Sequence, residues 1–196
     1  MRRIPLQIAE MALLATALLV GIGSGTPQTG IEMVNATPTL TAHVDRALDL
    51  FATHGLAEPV VASITFDAED PFCDRHGGRF TASTAAVLLC FDADTVVEKS
   101  DGTLRDHEQR LLLHELAHAW IETHSTQDQR SAYTSLMGAD SWNDHSSGWY
   151  QRGTEMAAET FVFALTDGDV LPRTLASRDP GLLREGYDLL IGAPRD

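Results

Sequence analysis

His114-Glu115-Leu116-Ala117-His118 is an H-E-x-x-H sequence inside the apolar run 111–121, and the rest of the chain is read outward from it. In a helix, positions four apart share one face, with roughly 5–6 Å between their Cβ atoms. Two imidazoles so placed can grip one Zn²⁺ ion at about 2.0–2.1 Å per nitrogen. Glu115, one residue past the first His, is positioned to act as a general base on a water without being a ligand. The bland alternative is a pair of surface histidines around a solvated Glu. The flanking Leu111, Leu112, Leu113, Leu116, Ala117, Trp120 and Ile121 argue against it. They bury the helix, and buried His and Glu side chains need partners.

A catalytic zinc takes three protein ligands and keeps one position open. Two residues compete for the third place. Glu155 lies in Gly153-Thr154-Glu155-Met156-Ala157-Ala158-Glu159, with Glu159 one turn further along the same face of an otherwise apolar helix. Zinc on Glu155, and the N–H of a ligand His on Glu159, would satisfy both acids. A Glu155 that only complements a helix dipole leaves Glu159 unexplained. The rival is His124, which extends the motif to H-E-x-x-H-x-x-x-x-x-H. The longer zinc signature of that spacing needs Gly where Ile121 stands, and a β-branched residue tolerates a left-handed break poorly. His145 and Asp144 are further candidates. The set adopted is His114, His118 and Glu155 as metal ligands, with Glu115 as the catalytic base.

His114-Glu115-Leu116-Ala117-His118 followed by Glu155-x-x-x-Glu159 resembles the gluzincin branch of zinc metallopeptidases. In that family H-E-x-x-H supplies two ligands and the base, and a Glu on a later helix supplies the third. Its common form there is E-x-x-x-D, and Glu159 stands here in place of the Asp. The resemblance covers about residues 39–166. It implies an α+β, zincin-like fold: a small, mostly antiparallel sheet packed over the active-site helix, with further helices C-terminal. It also implies Zn²⁺ as cofactor, a peptide or protein as substrate, and hydrolysis in which Glu115 takes a proton from the attacking water and passes it to the leaving nitrogen. Tyr133, His145 and Tyr150 are candidate donors to the oxyanion, each more readily read as structural than catalytic. Trp142 and Trp149 are candidates for the cleft wall, and the strand at 85–91 for pairing with extended peptide. Two other function classes stand beside this one. One is a zinc-bearing but catalytically silent exported protein, whose metal is closed by four protein ligands. The other is a metal-free binding module.

At 196 residues and 43% hydrophobic content the chain fits one domain with a real core. A net charge of −14 repels nucleic acid and anionic lipid, so neither is an expected partner. Residues 1–25 read as a signal peptide, either cleaved or kept as an N-terminal anchor. Arg2 and Arg3 are followed by an apolar run, 11–20, broken only by Thr16, and then by Gly21, Gly23, Ser24 and Gly25. Residues 26–38 read as a linker and 39–196 as the metallopeptidase domain. The expected location is secreted or extracytoplasmic, with membrane contact only through an uncleaved leader. Cys73 and Cys90 are the only cysteines, and in an exported protein they are expected to pair.

Helical spacing of Leu40, Val44, Ala47, Leu48 and Phe51 predicts a helix over 39–53, with His43 and His54 off its apolar stripe and therefore at the surface. Strands are expected at 60–66, 80–83 and 85–91. The acidic turns that follow Phe66 and Phe91 lack the spacing of a calcium loop. The motif helix should begin near Thr103, with Thr103 and Asp106 as a capping box, and run to about 123. Further helices are expected at 128–137, 154–166 and 179–191, with an irregular loop at 138–153.

Overall fold

The computed structural model describes residues 30–92, 94, 96, 99–100, 102–170 and 179–193. The expected leader, 1–25, lies outside these residues. No described helix is long and apolar enough to cross a membrane.

The described residues form an α+β fold with a four-stranded mixed sheet and five α-helices. Strand β1, Glu32–Val34, comes first, inside the segment expected as a linker. Helix α1, Pro38–Thr53, starts on Thr37, whose hydroxyl accepts from the Leu40 N–H, and on a proline at its first position. Strands β2 (Ser63–Phe66), β3 (Gly78–Thr81) and β4 (Ala86–Leu89) complete the sheet in the order β1-β2-β4-β3. Pairing is parallel for β1 with β2 and for β2 with β4, and antiparallel only for β3 with β4. The expected mostly antiparallel sheet is therefore corrected to a mixed one. Two causes act together. Strand β1 was hidden in a short polar stretch, and α1 is the crossover that a parallel neighbour requires. In addition, β3 runs back from the end of β2, so β4 returns alongside β2 and inserts between the two.

That insertion changes the role of β4. Ile64 and Phe80 flank Val87 from opposite sides, so both edges of β4 are already bonded. The strand expected to accept a peptide cannot do so. Among the described residues the free edges of the sheet belong to β1 and β3, and β3 lies against the motif helix. Two glycines allow that approach. A Cβ on Gly77 would collide with Leu111, and one on Gly78 would meet Glu115 Oε1 at 2.9 Å. Cys73 and Cys90 form a disulfide, tying a 3-10 turn, Pro71–Asp74, to the residue after β4. It braces the loop that delivers β3 to the helix. A disulfide is consistent with an extracellular protein.

Helix α2, Asp106–His124, carries the motif, and seven consecutive residues from Leu111 to Ala117 are buried in it. The expected cap at Thr103 is not used: Arg105 is the N-cap and makes no side-chain capping bond. The Thr103 carbonyl accepts from the Lys99 N–H instead, at 2.7 Å, and Leu104 is driven into the core. Asp106 and Glu108 in the first turn complement the positive end of the helix. Helix α3, Gln127–Met137, opens with a Thr126/Gln129 capping box and stops at Gly138, whose φ of 64° is left-handed. Helix α4, Gly153–Leu165, and helix α5, Pro180–Ile191, follow, the latter capped by Asp179.

The core joins sheet residues Ile64, Phe66 and Leu89 to Leu112, Leu113 and Leu116 of α2, Phe161 and Leu165 of α4, and Leu183 and Leu190 of α5. His43, expected at the surface, is buried on the inner face of α1 and bonded to Arg46 one turn on. A helical stripe read only from apolar residues misses a buried polar side chain whose partner reaches it from the exposed side, as Arg46 does.

The disulfide spans 17 residues of sequence, so the double variant Cys73→Ser/Cys90→Ser should lose about 3 kcal/mol of stability, on the chain-entropy account. Urea midpoints measured without reductant test this; an unchanged midpoint would show that the bridge carries no stability.

Candidate metal centre

Helices α2 and α4 each present a row of side chains at four-residue spacing, and the two rows face one another. Arg110, His114 and His118 lie along α2; Glu155 and Glu159 lie along α4. Arg110 pairs with Glu159, and His118 with Glu155, so the helices run in opposite directions. Both rows are set in apolar surroundings. Around the acids, Met156, Ala157, Ala158, Thr160, Phe161 and Val162 are all buried.

Three ligand atoms converge where the rows meet. His114 Nε2 is 3.1 Å from His118 Nε2 and 3.2 Å from Glu155 Oε2, and His118 Nε2 is 3.4 Å from the same carboxylate oxygen. Both Nε2 atoms can donate a proton to the carboxylate oxygen, but two N–H groups 3.1 Å apart then face one another unfavourably. A cation among them satisfies all three lone pairs. Ligands held about 2.0–2.1 Å from one ion at the tetrahedral angle stand about 3.3–3.4 Å apart, close to the observed triangle. The donor set therefore fits a metal ion, and among the described residues only these three supply converging ligand atoms.

The second ring nitrogens face outer groups: Nδ1 of His118 is hydrogen-bonded, and Nδ1 of His114 stands at ion-pair distance from an acid without hydrogen-bond alignment. His114 Nδ1 lies 3.1 Å from Glu159 Oε1, and His118 Nδ1 lies 3.3 Å from the Thr154 hydroxyl. These contacts leave Nε2 of each ring toward the shared centre, as outer partners do at metal sites. Burial by itself would lower the pKa of His114. Hydrogen bonds to Glu155 and Glu159 and the charges of Glu115 and Glu159 outweigh it, raising the value to about 10. Burial pushes the Glu155 carboxyl up, but His114 and His118 overcome this and hold it well below the usual carboxylate range. Both shifts report one fact: the pocket strongly favours positive charge at its centre.

Glu115 is buried and points to the sheet side of the helix. It lies under Gly78, and the backbone N–H of Phe80, also on β3, favours its ionised form. Desolvation raises its pKa, opposed by the charges of His114 and His118 and by the Phe80 N–H, and reinforced by the charge of Glu155. The net shift is upward. Sequence reading missed Gly78 and Phe80; the Gly77-Gly78 pair was the available signal, since only a residue without Cβ lets β3 approach this closely.

The remaining candidates separate clearly. His124 is exposed at the C-terminal end of α2, stacked on Trp120 at 4.8 Å and bonded to the Trp120 carbonyl. His145 and Asp144 are exposed in the loop before α4 and lie outside the converging group. Tyr133 is wholly buried with its hydroxyl 2.8 Å from that of Thr160, so it faces the helix packing. Trp142 packs edge-on to Tyr133. Trp149 does reach the centre: its ring stacks on His114 at 5.9 Å between centroids, and Tyr150 stands edge-on to it at 4.9 Å. Of the three large apolar side chains exposed among the described residues, these are two, Trp149 at 37% and Tyr150 at 57%.

The chain matches no protein-family model, no curated protein and no solved structure, so its function is argued from these side chains alone.

Glu155→Ala should abolish tight binding of a divalent metal, whereas His124→Ala should leave it intact. Metal content of the two purified variants, each with its circular dichroism, tests the assignment. Retention by the first and loss by the second would transfer the third ligand to His124.

Proposed function

We propose that this protein is an exported zinc-dependent metallopeptidase of the gluzincin type. The single observation that carries the reading is the combination of three converging ligand atoms, no fourth protein ligand among the described residues, and a buried carboxylate on the adjacent helical position. Two imidazoles and one carboxylate form a ligand set that suits zinc, and a three-ligand set is what a catalytic zinc requires. A catalytically silent site would instead close the metal with a fourth side chain.

When bound, zinc supplies a Lewis acid that acidifies a water and polarises a carbonyl oxygen. The chain's own residues do the rest. Glu115 takes the proton of the attacking water and delivers it to the leaving amide nitrogen, and its raised pKa suits a group that must both accept and return a proton. The Phe80 N–H keeps the carboxylate aimed along the α2 surface. The free edge of β3 runs beside Glu115, and its outward backbone groups can pair with an extended peptide and draw a scissile bond across the centre. Trp149, stacked on His114, and Tyr150 beside it offer exposed aromatic surface next to the centre for substrate side chains. Of the three tyrosine and histidine candidates for the oxyanion, Tyr150 is the one joined to the centre, through Trp149.

The disulfide and the apolar run at the N-terminus support export. The charge of −14 favours cationic peptides over anionic partners.

Glu115→Gln keeps the shape of the site and removes the base. It should retain zinc and lose hydrolysis of an unfolded protein substrate by about 10²–10⁴-fold. Digestion followed by mass spectrometry, beside metal analysis, reads both. Full peptidase activity in the variant would overturn the assigned base.

A further inference from the structure

We propose that Arg110 is a positioning residue for the metal: it fixes Glu159, and through Glu159 it fixes the ring of His114. The inference rests on the metal reading above and adds a residue outside both H-E-x-x-H and E-x-x-x-E.

Arg110 sits one helical turn before His114 on the same face of α2. Its Nη1 is ion-paired with Glu159 Oε1, and that same oxygen lies 3.1 Å from His114 Nδ1. One carboxylate oxygen is thus shared between a guanidinium and the imidazole of a ligand. Glu159 is fully buried and Arg110 is 11% exposed, so the pair works where water does not screen it. Glu159 Oε2, Arg110 Nε and His114 Nδ1 all lack a hydrogen-bond partner in the structure, so Arg110 holds the carboxylate through Oε1 alone, and His114 Nδ1 meets that oxygen at ion-pair distance. Nothing else among the described contacts pins the end of Glu159. An Arg on the rim of a helix pair ordinarily extends its head into water. Here it is turned inward onto an acid whose other contact is a ligand ring.

A glutamate has one more rotatable bond than an aspartate, so it reaches further but is less fixed. The guanidinium removes that freedom and keeps Oε1 facing Nδ1. The ring of His114 is then held with Nδ1 facing that oxygen and Nε2 directed at the centre. Outer-partner contacts of this kind are worth 10–100-fold in metal affinity.

The test is a double-variant cycle on the zinc dissociation constant, read by competition with a chromophoric chelator, for the full chain and for Arg110→Gln, Glu159→Gln and the two combined. Each single variant should bind zinc about 10–100-fold more weakly. The combined variant should be no weaker than Glu159→Gln, within about twofold, because the two residues act in series. Arg110→Lys, which keeps the charge, should recover part of the loss. If Arg110 only holds the helices together, Arg110→Gln will melt earlier with its zinc affinity unchanged, and the proposal is overturned. Losses that multiply in the combined variant overturn it too. Should Arg110→Gln fail to fold, Glu159→Gln and the combined variant decide the matter, since neither buries an unpaired carboxylate: equal affinities support the proposal and a further loss refutes it. Failure of the unaltered chain to bind zinc is a different result, and it would sink the metal reading itself.

Discussion

Two helices meet across a basic row, Arg110, His114 and His118, and an acidic row, Glu155 and Glu159. Buried Glu115 and Glu159 and part-buried Glu155 bring three carboxyl groups together, with Arg110 paired to Glu159 and the pKa of His114 raised to about 10 beside them. A charge taken out of water must be paired or it destabilises the fold by several kcal/mol. One guanidinium answers one carboxylate; the His114, His118 and Glu155 group could hold a cation that would answer the others. The same requirement explains the direction of both resolved shifts at the helix interface, upward at His114 and downward at Glu155. Each is what a pocket does when it favours positive charge at its centre.

The remainder of the fold serves this arrangement. Apolar residues on every side of the motif in α2 and of Glu155 and Glu159 in α4 keep water away, which strengthens each electrostatic contact. The sheet contributes one strand to the site, β3, and it does so through backbone: a glycine that admits the Glu115 carboxylate and an N–H that holds it. The disulfide anchors the loop leading into that strand. The loop before α4 is closed by a bridge between Ser141 and Arg152, and it delivers Trp149 onto His114 and Glu155 onto the centre within seven residues.

The centre was largely legible in the sequence because it is built from local spacing. Two four-residue intervals, one in H-E-x-x-H and one in Glu155-x-x-x-Glu159, each declare a helical face, and chemistry with unsatisfied needs on both faces implies that they meet. Arg110 obeys the same interval, one turn before His114, yet a lone basic residue on a helix carries no signal until its partner is known. The helices were legible from apolar periodicity to within a few residues. The sheet was not. Strand β1 has only three residues in a polar stretch, and parallel pairing depends on where a crossover returns the chain, which no local pattern encodes. Gly78 was visible as a glycine and opaque as a contact, because its meaning lies in the side chain opposite, thirty-seven residues away. Thr103 shows the reverse error: a capping pattern was present, and the tertiary demand to bury Leu104 overrode it.

The most direct test of a metal shared by α2 and α4 is X-ray absorption at the zinc edge on the zinc-loaded protein. The account predicts four light-atom donors at about 2.0–2.1 Å, with the outer-shell scattering of two imidazoles and no sulfur in the first shell. A spectrum without imidazole scattering, or one showing only oxygen donors in six-fold array, would contradict it.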